Sequence, residues 1–315
     1  MKILISGAAG FIGSNLAERL VHEGHEVIGI DNFSDYYDRR QKEHNAASIT
    51  RAGCQFHEAD LVTADLEPVV EGVQVVFHAA AQPGISDKVA FATYVRNNLE
   101  ATHRLLEACK GMSSLELFVN VATSSVYGYR ATEPETSAPE PVSYYGVTKL
   151  AAEQLALAYQ RDRGFPACSL RLFSVYGERE RPDKLYPKLI RSILHDEAFP
   201  LFENSMDHSR SFTYVGDVVA AFMAVLNRPE VCIGEIFNIG SDAEMKTREA
   251  IETVEALMGK KAKFNILPSR AGDQTRTHAN IDKARRMLGF EPQTAFRDGI
   301  RNEIDWLTEL EQSRA

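Results

Sequence analysis

The first half of the chain alternates between short apolar runs and longer amphipathic stretches. The runs KILIS (2–6) and HEVIGID (25–31) have the length and β-branched content of buried strands, and the segment between them repeats apolar residues at helical spacing. The alternation continues to about residue 175. Strands that alternate with helices favour right-handed βαβ units. The pattern therefore predicts an α/β fold of Rossmann type, built on a doubly wound parallel sheet.

The second half of the chain is less regular. Arginine, proline and glycine are scattered through GERERPDK (177–184) and LPSRAGDQTR (267–276). We predict a first domain over residues 1–175 and a smaller one over 176–315. Apolar stretches near 211–240 are expected to return to the main sheet.

Composition narrows the possible partners. The 35 basic and 44 acidic residues give a net charge of −9, which argues against nucleic acid or an anionic membrane as a partner. The four cysteines form no Cys-x-x-Cys pair, so we expect reduced thiols, a cytoplasmic location and no metal site. The charged cluster DNFSDYYDRR (31–40) is predicted to be a solvated face.

The glycine turn GAAGFIG (7–13) lies directly between the first strand and the first helix. Glycines at this place let the backbone approach a pyrophosphate at a helix N-terminus. Asp31 ends the second strand 18 residues after Gly13, where an acid can bind the adenosine ribose. A carboxylate at this position repels a 2′-phosphate, so the pattern favours NAD over NADP. Asp60, after the third strand, is predicted either to bind the adenine amine or to cap a helix.

The segment SYYGVTK (143–149) contains two tyrosines and one lysine. Residues four apart share a helix face, so Tyr145 stacks one turn before Lys149 while Tyr144 points elsewhere. A phenol beside an ammonium can act as a base. We therefore predict that Tyr145 is the working tyrosine.

Several further motifs reinforce this interpretation. They are HAAAQ (78–82), NN (97–98), TSSVYG (123–128), RLFSVYG (171–177), RSFTYVGD (210–217) and RAGD (270–273). With the glycine turn and the Tyr-x-x-x-Lys spacing, they make the chain resemble the extended short-chain dehydrogenase/reductases of the NAD-dependent nucleotide-sugar epimerase and dehydratase group. The resemblance implies tightly bound NAD and the following cofactor-binding residues: Gly7, Gly10, Phe11, Ile12, Gly13, Asp31, Asn32, Asp60, Leu61, Ala79, Ala80, Ala81, Gln82, Asn98, Tyr145, Lys149 and Phe173.

The resemblance also implies the catalytic roles. Tyr145 would take a proton from a sugar hydroxyl, Lys149 would be its electrostatic partner, and Thr123 would hydrogen-bond the same oxygen. Related 4,6-dehydratases carry an Asp-Glu pair directly after the threonine, whereas this chain has Ser124 and Ser125. A serine cannot replace those carboxyl groups, so the chemistry is expected to stop at a 4-keto sugar and run back, inverting C4.

The same resemblance assigns a UDP-sugar site. Arg181, in the segment Arg-Pro-Asp, resembles an arginine that lies near the sugar carboxylate in UDP-glucuronate 4-epimerases. Those enzymes usually carry a second arginine where this chain has Ser86, and Lys88 is close enough in sequence to substitute. The predicted substrate-binding residues are Ser124, Ser125, Ser174, Arg181, Arg210, Arg270 and Asp273.

Several alternatives to UDP-glucuronate epimerisation stay open. The substrate could be UDP-glucose or UDP-N-acetylglucosamine, and the reaction could be decarboxylation of UDP-glucuronate or 4,6-dehydration. An NAD-binding regulatory protein without turnover is a further alternative. The family commonly forms dimers through two long helices, here expected at 95–110 and 145–162, so we expect a homodimer.

Overall fold

A computed structural model of the chain describes residues 1–86, 88–269 and 275–312. The strands of these residues are β1 (Lys2–Ser6), β2 (Glu26–Asp31), β3 (Gln55–Glu58), β4 (Val75–His78), β5 (Leu117–Thr123), β6 (Arg130–Ala131), β7 (Ala167–Leu172), β8 (Val175–Tyr176), β9 (Ala198–Phe202), β10 (Ser209–Ser211), β11 (Thr213–Tyr214), β12 (Ile236–Ile239), β13 (Glu244–Lys246), β14 (Lys263–Leu267) and β15 (Arg276–Thr277). The α-helices are α1 (Phe11–His22), α2 (Arg39–Ala52), α3 (Glu67–Val70), α4 (Phe91–Tyr94), α5 (Ala101–Cys109), α6 (Tyr144–Arg163), α7 (Leu185–Leu194), α8 (Val215–Leu226), α9 (Pro229–Cys232), α10 (Thr247–Met258), α11 (Asp282–Leu288) and α12 (Phe296–Gln312).

Seven parallel strands form the main sheet, in the order β12-β7-β5-β4-β1-β2-β3. The strand order reverses between β1 and β4, which opens a crevice at the carboxyl ends of these two strands. This arrangement confirms the predicted doubly wound α/β fold. The connection from β4 to β5 runs through one helical segment, in which a π-helical stretch (Val95–Glu100) joins α4 to α5.

Helices cover both faces of the sheet, because successive side chains along each strand point to opposite sides. Ile3 and Ile5 of β1 pack into the cluster that includes α1 and α8. Leu4, between them, packs into the cluster that includes α5 and α6 on the other face. A strand buried on both faces is mostly apolar, which explains the apolar residues Ile3, Leu4 and Ile5 in succession.

Part of the second half of the chain returns to the main sheet. Strand β12 pairs with β7 in parallel, and α8 packs on the α1 face of the sheet. The apolar stretches near 211–240 therefore contribute to the hydrophobic core of the main sheet, as expected from their sequence. The domain boundary near residue 175 stays a prediction.

A separate apolar cluster holds the rest of the second half together. Its buried side chains come from α7, β9, α10 and α12. The small sheets β13-β10-β15-β6, β11-β8 and β14-β9 surround it. We call this cluster and its small sheets the second body. It faces the carboxyl ends of the main strands and forms the far wall of the cleft described below.

Helix α6 begins and ends where its sequence predicts. The Ser143 hydroxyl caps it by accepting the Gly146 N–H at 3.1 Å, and Gly164 ends it in the left-handed conformation. No helix in the described ranges is long and apolar enough to cross a membrane.

Candidate active site

A cleft of about 750 Å³ lies between the main sheet and the second body. Its floor is formed by residues at the carboxyl ends of β1, β2, β4, β5 and β7, and its far wall includes residues of α7 and β10. Most of the predicted site residues converge here, although they are spread over 200 positions of the sequence.

The glycine turn lies at one end of this cleft, against the N-terminus of α1. A β-carbon at Gly13 would collide with the Gly7 carbonyl oxygen, so only glycine lets the helix begin so close to the strand. The first turn of α1 thus lies against the cleft, with Gly10 at its N-cap and Gly13 inside it. This is the geometry that binds a pyrophosphate.

Two carboxylates flank the glycine turn. Asp31 accepts the N–H groups of Ala9 (3.1 Å) and Phe33 (2.9 Å), each on a different oxygen, which leaves lone pairs for a ribose hydroxyl. Burial raises the pKa of Asp31. Asp60 accepts the Val62 N–H at 2.8 Å within a turn, and the next helix, α3, begins only at Glu67 with Leu66 as its N-cap, so the predicted role as a helix cap is wrong. Asp60 also lines the cleft, and its binding of the adenine amine stays a prediction. Burial opposes its ionisation, but the bonds it accepts hold its pKa below the usual value.

Most of the predicted cofactor residues line the cleft. They are Gly7, Gly10, Phe11, Ile12, Gly13, Asp31, Asn32, Asp60, Leu61, Ala79, Ala80, Ala81, Tyr145, Lys149 and Phe173.

Gln82 and Asn98 are not among the lining residues. Both are buried behind the wall, where the Asn98 amide oxygen accepts the Gln82 N–H at 2.6 Å and its amide group donates to Thr148 at 2.9 Å. Their predicted contact with the cofactor stays a prediction. They link the loop after β4 to helix α6.

Tyr145 faces the cleft from the first turn of α6, close to the end of β5. Its hydroxyl hydrogen-bonds to Thr123, which also bonds to the Ser125 hydroxyl at 3.2 Å. Burial raises the pKa of Tyr145, and the Thr123 bond and the Arg181 charge oppose this effect. The expected lowering of this pKa by Lys149 is not found in the protein alone. Any further stabilisation of the phenolate has to come from a bound cation.

Lys149 lies one helical turn after Tyr145 and is 2% exposed. Burial lowers the pKa of its ammonium group to about 8, while the Glu153 carboxylate acts in the opposite direction. Glu153 is itself buried in an ion pair with Arg171, with atoms 2.6 Å apart. The charged residues of α6 therefore extend from Lys149 at the cleft to Glu153 in the core.

Arg181 enters the cleft from the loop between β8 and α7, and its charge acts on the Tyr145 phenol. One guanidinium nitrogen, Nη2, lies 3.4 Å from the Asp183 carboxylate. The other, Nη1, is buried and has no hydrogen-bond acceptor among the described residues. The cleft wall thus contains an arginine that has an unpartnered N–H group and whose charge acts on the predicted base.

The remaining substrate predictions have mixed outcomes. Ser124, Ser125, Ser174 and Arg210 line the same cleft. Arg270 and Asp273 lie outside the described residues, so their predicted roles stay predictions. Lys88 is exposed and is not among the residues that line the cleft, and its substitution for the arginine missing at Ser86 stays a prediction.

Among the cleft-lining residues that the sequence analysis missed are Tyr36, Glu180 and Lys184. Tyr36 belongs to the cluster predicted to be a solvated face, and that prediction is wrong for this residue. The sequence contained an indication of this partial burial, since a tyrosine pair inside a charged cluster is unusual for a purely solvated surface. Glu180 and Lys184 flank Arg181 in a segment whose path cannot be derived from local pattern.

Comparisons with known proteins agree with this geometry. The protein named uncharacterized UDP-glucose epimerase YtcB of Bacillus subtilis is 40% identical, over 99% of each chain. UDP-glucuronate 4-epimerase 3 of Arabidopsis thaliana is 34% identical, over 97% of this chain and 76% of its own. The crystal structure of UDP-glucuronic acid 4-epimerase from Bacillus cereus, in complex with UDP-glucuronic acid and NAD, is 37% identical and superimposes with a TM-score of 0.94 over 98% of this chain and 100% of that one. Residues 3–240 match the NAD dependent epimerase/dehydratase family, and the chain belongs to that family.

Proposed function

We propose that this protein is an NAD-dependent UDP-sugar 4-epimerase, an isomerase, and that its substrate pair is UDP-glucuronate and UDP-galacturonate. Relatives with 4-epimerase names and the NAD-bound structure from B. cereus support the reaction class. The specific uronate substrate rests on the position of Arg181, argued below.

The described residues fit NAD. The glycine turn before α1 suits the pyrophosphate, and Asp31, which lines the cleft, suits the adenosine ribose. The chemistry that bound NAD supplies is the reversible removal of a hydride from C4 of the sugar. Its positive charge would act on the Tyr145 phenol in the same direction as Arg181.

Different side chains of the cleft have different roles in proton transfer. Tyr145 takes the proton of the C4 hydroxyl, and Thr123 hydrogen-bonds to the phenol and keeps it aligned. Lys149, protonated below a pKa of about 8, adds positive charge to the same wall. Ser124 and Ser125 offer hydroxyl groups but no carboxyl group, so the acid and base pair that related dehydratases carry at these two positions is absent.

A single observation supports a uronate as the substrate. The buried Nη1 of Arg181 has no acceptor among the described residues, yet the guanidinium acts electrostatically on the phenol that reacts at C4. A C6 carboxylate would accept a charge-assisted bond there. The 4-keto uronate is a β-keto acid, so an arginine that holds its carboxylate also opposes the loss of carbon dioxide.

The test is to incubate the purified protein with UDP-glucuronate, without added NAD, and to follow the sugar protons by NMR. We expect the C4 proton signal of galacturonate to appear. Arg181→Gln should raise KM for UDP-glucuronate by at least tenfold because it removes a charged partner. Absence of turnover on UDP-glucuronate, with turnover on UDP-glucose, would replace the proposed substrate. Formation of a pentose nucleotide would indicate decarboxylation instead.

UDP-glucose is the second candidate substrate. Ser86 stands where the related uronate epimerases carry an arginine, and Lys88 lies outside the cleft, so only part of the uronate pattern is present. The B. subtilis relative also carries a UDP-glucose name. A parallel NMR assay with UDP-glucose and UDP-N-acetylglucosamine separates these substrates. No observation favours dehydration or a purely regulatory role.

We further propose a cytoplasmic homodimer. Phe91 and Tyr144 stack at 5.0 Å between centroids on the outside of α4 and α6, and both are about half exposed, as is Val147. A second copy would cover this apolar patch. Light scattering should give twice the chain mass, and Val147→Glu should shift it towards the monomer.

A further inference from the structure

Tyr36 packs directly on the arginine that carries the substrate proposal. The guanidinium carbon of Arg181 lies 5.3 Å from the centroid of the Tyr36 ring, within the range of a cation–π contact. Tyr36 comes from the loop between β2 and α2 on the NAD side, whereas Arg181 comes from the loop before α7. Both line the cleft.

Gly84 packs against both Tyr36 and Arg181. Its φ is +79°, and a β-carbon there would lie 3.2 Å from the Tyr36 hydroxyl oxygen and 3.3 Å from Nη2 of Arg181. Tyr94 fixes the same glycine by donating a hydrogen bond to its carbonyl oxygen at 2.8 Å. The tyrosine ring, the glycine backbone and the guanidinium are therefore packed with no space for a side chain between them.

The packing leaves one N–H group of the arginine buried and without a hydrogen-bond partner among the described residues. The ring of Tyr36 occupies a face of the guanidinium, Gly84 and Asp183 lie near Nη2, and the buried Nη1 has no acceptor among residues 1–86, 88–269 and 275–312. A flexible arginine would lose rotamer freedom on binding a carboxylate, whereas an arginine held in this way has already lost it.

We propose that Tyr36 is a positioning residue, which holds Arg181 against Gly84 so that its unpaired edge binds the sugar carboxylate, and thereby sets the preference for a uronate. This inference rests on the proposed function. It adds a specificity role for a residue that does not itself need to touch the sugar.

The first experiment compares Tyr36→Ala and Tyr36→Phe. Loss of the ring should raise KM for UDP-glucuronate about tenfold, while Phe keeps the stacking surface and should stay within about twofold of the wild type. The affinity for UDP alone should not change in either variant. Tyr129→Ala, at an exposed tyrosine outside the cleft, is the matched control for loss of a tyrosine ring.

A double-mutant cycle tests whether Tyr36 acts through Arg181. If it does, Tyr36→Ala has no further effect on KM for UDP-glucuronate in the Arg181→Gln background. The amount of NAD that copurifies is measured for every variant, because Tyr36 lies in the loop on the cofactor side. Retained NAD excludes simple loss of that loop.

The outcomes separate the two proposals. If the wild type shows no turnover and no binding of UDP-glucuronate, the proposed substrate and this inference both fail. If the wild type uses UDP-glucuronate but Tyr36→Ala leaves KM unchanged, only the inference is overturned. Equal losses from Tyr36→Ala in the wild-type and Arg181→Gln backgrounds also overturn it.

Discussion

At the scale of single residues, helix geometry alone distinguishes the two adjacent tyrosines. Tyr145 shares a face with Lys149, and both line the cleft, whereas Tyr144 is 58% exposed. The spacing could not predict the protonation of the pair. Burial, which depends on the whole fold, raises the pKa of the phenol and lowers that of the ammonium.

This distinction yields a direct prediction. Tyr145→Phe should lower kcat by at least a hundredfold, because the proton acceptor for the C4 hydroxyl is lost. Tyr144→Phe, the matched control, should retain turnover. Copurified NAD, measured by absorbance after denaturation, should be unchanged in both variants. Substantial turnover by Tyr145→Phe would show that another group is the base.

At the scale of elements, helix α6 connects the site to the core. Tyr145, Lys149 and Glu153 follow one another at four-residue spacing, and Arg171 of β7 holds Glu153 through two hydrogen bonds of 2.6 and 2.9 Å. The sequence predicted this helix because its caps and its periodicity are local. It could not predict the ion pair, because the pairing of α6 with β7 is a property of the folded sheet.

Glu153 should therefore influence catalysis from a distance. Its charge raises the pKa of Lys149 against the effect of burial, so Glu153→Gln should lower that pKa below about 8. Lys149 is then deprotonated at lower pH, and the fall of kcat/KM on the alkaline side moves to lower pH. Glu153→Asp keeps the charge and should keep the wild-type profile. An unchanged pH profile in Glu153→Gln would show that Glu153 is purely structural.

At the scale of the whole molecule, the contacts that sequence reasoning missed join distant parts of the chain. Tyr36 meets Arg181 across 145 positions, and Glu180 hydrogen-bonds to Glu303 of α12 across 123 positions. Periodicity and short motifs report only on neighbours within a few turns or strands. The strands, the glycine turn and helix α6 were predictable for that reason, whereas the packing of the second body against the cleft was not.

The Glu180–Glu303 pair should make stability depend on pH. Both side chains are buried, Glu303 accepts the Gly177 N–H at 2.9 Å, and Lys184, Arg181, Asp183 and Glu178 are the charges around them. Burial raises the pKa of Glu180 from 4.5 to about 7 and raises that of Glu303 as well.

The direction of the pH effect follows from this upward shift. The folded protein holds these protons more tightly than the unfolded chain, so its free energy of unfolding falls as pH rises from about 4.5 to about 7. Glu303→Gln removes the negative charge that lies beside the Glu180 carboxylate. Between pH 6 and pH 8 the variant should therefore gain about 1 kcal/mol relative to the wild type. Urea unfolding of NAD-loaded protein at both pH values measures this difference, with Glu309→Gln on the same helix as the control. If the difference between variant and wild type is the same at both pH values, the two carboxyl groups do not share a proton.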